Sequence, residues 1–132
     1  MPVAHTISAV TYDRDAIQMD REYLVTVLMI EEGEELMMMM RQLYHLFESE
    51  GRLKLADLER ICLANARSDL TTIVHFVAGS AGNLGLTRLH GFYRAVERSM
   101  NDGSLTDISD AAVPIRAAFD QAGLAFKAAF DL

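Results

Sequence analysis

Hydrophobic positions recur along this chain at spacings of three and four residues, the period that puts them on one face of an α-helix. Ile17, Leu24, Val27 and Leu28 open the first run, which fades near Gly33. Leu36, Met39, Met40, Leu43, Leu46 and Phe47 form the second, and Gly51 reads as its end. Leu55, Leu58, Ile61 and Cys62 continue on a new helix. Leu70, Ile73, Val74, Val77, Ala81 and Leu84 make the next stripe, capped by Ser68 or Asp69 and running into Gly85. Leu86, Leu89, Tyr93, Val96 and Met100 follow, and Asn101-Asp102-Gly103 is a strong stop signal. Ile115, Phe119, Ala122, Phe126 and Phe130 line a last helix that Ser109 or Asp110 starts, with Pro114 tolerated near its first turn.

No stretch alternates with a period of two, no long repeat stands out, and no linker divides the chain. Short connections favour antiparallel neighbours. The expected fold is therefore all-α: an antiparallel up-down four-helix bundle with an additional N-terminal helix and a C-terminal helix. Residues 1–12 show no clear period and contain Pro2, so they are expected to form a loose N-terminal arm. Residues 13–132 then make a single helical-bundle domain.

Composition narrows the function. The chain has 132 residues, 51% of them hydrophobic, which suits one domain with a real core and argues against disorder. A formal net charge of -7 is the wrong sign for a nucleic-acid backbone or an anionic membrane surface. The single cysteine, Cys62, excludes an internal disulfide and a cysteine metal cluster, and reads as a small buried hydrophobe. His5, His45 and His90 share no metal-ligand spacing with each other or with His75, so neither metal nor cofactor is expected. No apolar run reaches transmembrane length and no secretory leader is evident, so the expectation is a cytoplasmic domain.

His75 is the candidate for chemistry. On a helical wheel at about 100° per residue, Val77, Ile73, Leu84, Leu70, Ala81 and Val74 all fall roughly 160–260° from it. The apolar stripe thus lies nearly opposite the histidine. Within about 60° of it stand Ser68, Thr71, Thr72, Ala78, Gly79 and Gly82, all small and none charged. An ordinary solvent face carries Lys, Glu or Arg. Each glycine inside a helix costs about 1 kcal/mol relative to alanine, so something must offset it. Close approach of a second macromolecule beside His75 is one explanation, and close helix packing at Gly79, Gly82 and Gly85 is the other.

Residues 75–85, His-Phe-Val-Ala-Gly-Ser-Ala-Gly-Asn-Leu-Gly, resemble the signature of histidine-containing phosphotransfer (HPt) domains. His75, Val77, Gly79, Ser80, Ala81 and Gly85 match it, and Leu89 and Glu97 sit where the family's next helix usually has a leucine and a glutamate. The resemblance spans about residues 15–102. It implies a four-helix bundle with an exposed phosphoacceptor, here His75, that relays a phosphoryl group between receiver-domain aspartates in a two-component phosphorelay. It implies response-regulator receiver domains as partners, with a hybrid histidine kinase as a further candidate, and magnesium on the receiver rather than on this chain. Ser68, Thr71, Thr72, Ala78, Gly79 and Gly82 would form the approach surface, with Ser80 and Gly85 as motif support. With no nucleotide-binding motif, the protein would be a phosphocarrier without kinase or ATPase activity of its own.

One departure keeps an alternative open. The family lysine three residues after the histidine is Ala78 here. Thr71, Thr72 or Arg67 would have to supply part of the lost phosphoryl contact. Otherwise the chain would be an HPt-like binding module that regulates a receiver or histidine kinase without carrying phosphate. Elsewhere, Met39 and Met40 are expected to face the core, with Met37 and Met38 partly exposed. Arg88, Arg94 and Arg98 are read as a solvated face. An exposed Phe126 or Phe130 would support a weak homodimer rather than a monomer.

Overall fold

The computed structural model describes residues 6–132, and among them it holds six helices and no strand. These are α1 (Arg21–Leu28), α2 (Glu34–Lys54), α3 (Leu58–Leu63), α4 (Arg67–Asn83), α5 (Thr87–Asn101) and α6 (Ala112–Ala129). The protein is an all-α helical bundle. The four long helices close a ring: α4 packs most extensively on α5, α5 meets α6, α6 meets α2, and α2 meets α4. Short α1 and α3 sit at the ends of this ring.

The stripes read from the sequence supply the core. Leu36, Met40 and Phe47 come from α2, Leu70, Val74, Val77 and Ala81 from α4, Leu89, Tyr93 and Val96 from α5, and Ile115, Phe119 and Phe126 from α6. Burying each large apolar side chain stabilises the bundle by about 1.5–3 kcal/mol. The stacked Phe47 and Phe119 rings, 4.9 Å apart, join α2 to α6, and Tyr93 donates its hydroxyl hydrogen to Ile115 O at 2.7 Å, joining α5 to α6.

Several local expectations fail, each for a tertiary reason. Gly51 does not end α2, which runs on to Lys54. A Cβ at Gly51 would overlap the Phe119 ring, so the missing side chain is what lets α6 lie against α2. Leu46, placed in the buried stripe, is 53% exposed, and Ile17 lies outside α1. Met40 is buried, Met37 and Met39 are half-buried, and Met38 is exposed. Neither Ser68 nor Asp69 caps α4, which begins at Arg67 after Ala66 with no side-chain cap; Asp69 still lies in the first turn, where the helix dipole favours it. Likewise α6 begins at Ala112, and Pro114 falls among the first residues, whose N–H groups have no helical partner to lose.

The N-terminal segment is not loose where it is described. Residues 6–12 form no helix, yet Val10 is buried, the Tyr12 ring lies 4.6 Å from that of Phe92, and Ser99 donates its hydroxyl hydrogen to Ala9 O at 3.3 Å. Apolar side chains at Val10 and Tyr12 gain more from this packing than from solvent. Residues 1–5, with Pro2 and His5, lie outside the described residues. Phe126 and Phe130 are both buried, so they offer no surface to a second copy. Among the described residues, no helix is long and apolar enough to cross a membrane.

Candidate functional site

Residues Leu84–Leu86 turn the chain from α4 into α5. Gly85 makes the turn in the left-handed region (φ +75°), and its carbonyl accepts a hydrogen bond of 2.7 Å from the Asp20 N–H. A Cβ there would stand 2.7 Å from Asp20 O. Gly85 therefore serves both the turn and the close attachment of α1, whose first turn Asp20 caps by accepting from the Tyr23 N–H at 3.0 Å. Arg88 strengthens the attachment by donating from Nε to Ala16 O at 2.8 Å.

The two long helices then run antiparallel, and their contacts follow in register: Thr71 meets Met100, His75 meets Glu97, and Ala78 meets His90. His75 stands on the open side of this pair, its side chain 62% exposed. Its Nδ1 lies 2.7 Å from Glu97 Oε2. An ionised carboxylate only accepts, so Nδ1 carries the proton and donates it. That fixes the tautomer: Nε2 keeps its lone pair. Glu97 is itself half-buried and is held by Arg94, whose Nη1 donates to Glu97 Oε1 at 3.0 Å and lies 3.1 Å from His75 Nδ1. With Nδ1 protonated, this last approach is a contact and not a hydrogen bond. The resulting row of imidazole, carboxylate and guanidinium can support charge that develops on the ring.

Beside this row opens a groove of about 530 Å³. Asp20 and Tyr23 wall it from α1, Gly79 and Gly82 from α4, and His90 and Arg94 from α5. A Cβ at Gly79 would meet nothing within 4 Å, so one turn beyond His75 the backbone is bare. Gly82 differs. A Cβ there would lie 2.8 Å from Nδ1 of His90, whose N–H is donated to Ala78 O at 2.8 Å. Gly82 is thus a packing glycine that seats the His90 ring.

The sequence-derived surface is accordingly split. Ser68 and Thr72 are exposed, Thr71, Gly79 and Ser80 are half-buried, and Ala78 is wholly buried. Ala78 therefore does not belong to the approach surface: its wheel position turns it toward α5, which covers it. The substitutes considered for the family lysine are engaged elsewhere. Thr71 donates to Arg67 O at 2.9 Å, Thr72 donates to Ser68 O at 3.1 Å, and Arg67 donates to Met100 O at 3.3 Å. The guanidinium that does reach His75 is Arg94, assigned from sequence to a solvated face. Its signal was available in retrospect: Arg94 precedes Glu97 by three residues, so the two share a helix face.

Among the described residues no group of His, Cys, Asp and Glu is placed to hold a metal ion. A family model described as the Hpt domain matches residues 42–125, well over half of the chain. The chain therefore belongs to the Hpt domain family, whose members perform histidine phosphotransfer in two-component signalling and work with receiver domains and kinases. The match takes in most of α6, beyond the span over which the motif resemblance was read. No curated protein and no solved structure matches the chain significantly.

Proposed function

We propose that this protein is a phosphocarrier that relays a phosphoryl group between receiver-domain aspartates through His75. The observation that carries this reading is the exposed imidazole whose Nδ1 is tied to Glu97, which leaves Nε2 as the only free nucleophile of the ring.

The transfer balances without any proton leaving the ring. The Nε2 lone pair attacks phosphorus of the aspartyl phosphate; the N–P bond forms, the P–O bond breaks, and the leaving carboxylate takes its electron pair. The ring becomes an imidazolium whose Nδ1–H stays in the hydrogen bond to Glu97, and that carboxylate compensates the new positive charge. Reversal hands the phosphoryl group to a second receiver. Such transfer depends on positioning and charge neutralisation. A receiver domain would bring the magnesium, and this chain would supply the oriented imidazole and the bare backbone at Gly79.

Ala78, buried and apolar, is what favours the second reading, a binding module that docks receivers or a histidine kinase without carrying phosphate. Incubation with a phosphorylated receiver domain decides between them. The phosphocarrier acquires acid-labile phosphate that His75→Gln does not. Receiver binding by the wild type without any labelling would establish the binding module instead.

A further inference from the structure

The phosphorylated state poses a charge problem that the apo site does not. Before transfer, the neutral His75 ring, the Glu97 carboxylate and the Arg94 guanidinium sum to zero. Afterwards a phosphoryl dianion sits on the ring that Glu97 contacts, and the imidazolium offsets only half of it. The helix that carries His75 offers no help on that face, because Ser68, Thr71, Thr72 and Gly79 are all uncharged. Among the described residues no other cation is bonded to His75 or Glu97: Lys54 lies over the Phe76 ring at 4.5 Å, Arg67 donates to Met100 O, and Arg88 donates to Ala16 O.

Arg94 is placed differently. Its side chain is 34% exposed, it lines the groove next to Gly79, and its Nη1 lies 3.1 Å from His75 Nδ1, on the ring that would carry the phosphoryl group. Among the described residues its hydrogen bond to Glu97 and its contact with His75 both use Nη1, so Nε and Nη2 keep donors to spare. The space over Gly79 is open for phosphoryl oxygens to occupy.

Resting on the phosphocarrier reading, we infer that Arg94 is the phosphoryl-binding residue of this site: it neutralises Glu97 in the resting protein and donates to the phosphoryl oxygens once His75 Nε2 is phosphorylated. A planar guanidinium suits both tasks, since it presents five donors in two directions. The charge that most directly supports the transferred group therefore comes from α5, not from the helix bearing the histidine.

The test uses the full chain and a phosphorylated receiver domain, after a thermal melt of each variant. Arg94→Met is expected to slow labelling of His75 by about tenfold to a hundredfold, the worth of one charge-assisted hydrogen bond. Arg94→Lys should recover part of the rate. Arg94→Gln takes the place of Arg94→Met if the latter fails to fold. The same substitution made in a Glu97→Gln background must still slow transfer; no further loss there would mean that Arg94 acts only by holding Glu97, which overturns the inference. A phosphorus NMR titration of the phosphorylated protein adds an independent readout: loss of the guanidinium should move the phosphoryl titration to higher pH, and an unmoved titration overturns the inference too. Wild-type labelling rates in Arg94→Met would do the same. Absence of labelling in the wild type, or equal labelling of His75→Gln, is a distinct result that removes the phosphocarrier reading and this inference with it.

Discussion

Glu97 engages His75 through one ring nitrogen and leaves the other free, at an Nδ1 to Oε2 distance of 2.7 Å. The two residues are 22 positions apart and meet only because Gly85 turns α4 back along α5. Orientation of the nucleophile is therefore a property of the helix pair and not of the motif around the histidine.

Replacing Glu97 by alanine should free the ring to rotate and remove the carboxylate that supports the imidazolium. A charge-assisted hydrogen bond contributes about 1.5–3 kcal/mol, so labelling of His75 by a phosphorylated receiver should slow about tenfold to a hundredfold. Glu97→Gln retains a carbonyl acceptor for Nδ1–H and should fall in between. Single-turnover labelling kinetics measure both, and an unchanged rate in Glu97→Ala would show that the hydrogen bond has no part in transfer.

The two glycines beyond His75 should respond oppositely to alanine. Gly79→Ala meets open space and gains helix propensity, so the melting point should rise by the equivalent of about 0.5–1 kcal/mol. Its transfer rate should drop, because the new methyl would stand where the proposed receiver approaches. Gly82→Ala runs into the His90 ring and should lower stability, by about 1–3 kcal/mol as overpacking does. Calorimetry of the two variants side by side tests the contrast.

Gly51→Ala is a third case, in which helix propensity would predict stabilisation and packing the reverse. The added methyl overlaps the rigid Phe119 ring, and a loss of about 1–3 kcal/mol is expected in denaturant melts. Phe119→Leu in the same background should recover part of it.

Acid should loosen the attachment of α3 to α6. Arg116 donates to both carboxylate oxygens of Glu59, from Nε at 2.8 Å and from Nη2 at 2.7 Å, and these bonds hold the Glu59 carboxyl below its usual range. A depressed carboxylate stabilises the fold at pH above its ordinary value near about 4.3, and that contribution disappears as pH falls through the lowered one. Because the pair is exposed, its worth is below about 1 kcal/mol. The melting point of Glu59→Gln should therefore vary less than the wild type's between about pH 5 and pH 3.

Much of this was legible from sequence wherever a single helix decides the matter. Leu70, Val74, Val77 and Ala81 share one face by period alone, and the same period points His75 away from it. What a lone helix cannot reveal is register against its neighbours. Ala78 and Gly79 are adjacent and similar in size, yet α5 covers one and leaves the other bare. Gly51 reads as a break until Phe119, 68 positions later, is seen lying on it. Arg94 resembles any exposed arginine until the turn at Gly85 brings it to the histidine. What escaped the sequence reading depends on how helices are aligned against one another: α4 with α5, α2 with α6, and the segment at Asp20 with the turn at Gly85.

The fastening of α1 at Gly85 separates two tasks that a single surface would otherwise share. The imidazole, its carboxylate and its guanidinium all belong to α4 and α5, whereas one bank of the neighbouring groove, Asp20 and Tyr23, comes from a short segment far upstream. If receivers dock over this groove, substitutions confined to that bank would alter which receivers fit while the reacting atoms stay untouched, and recognition and chemistry would be free to diverge at different rates in related chains.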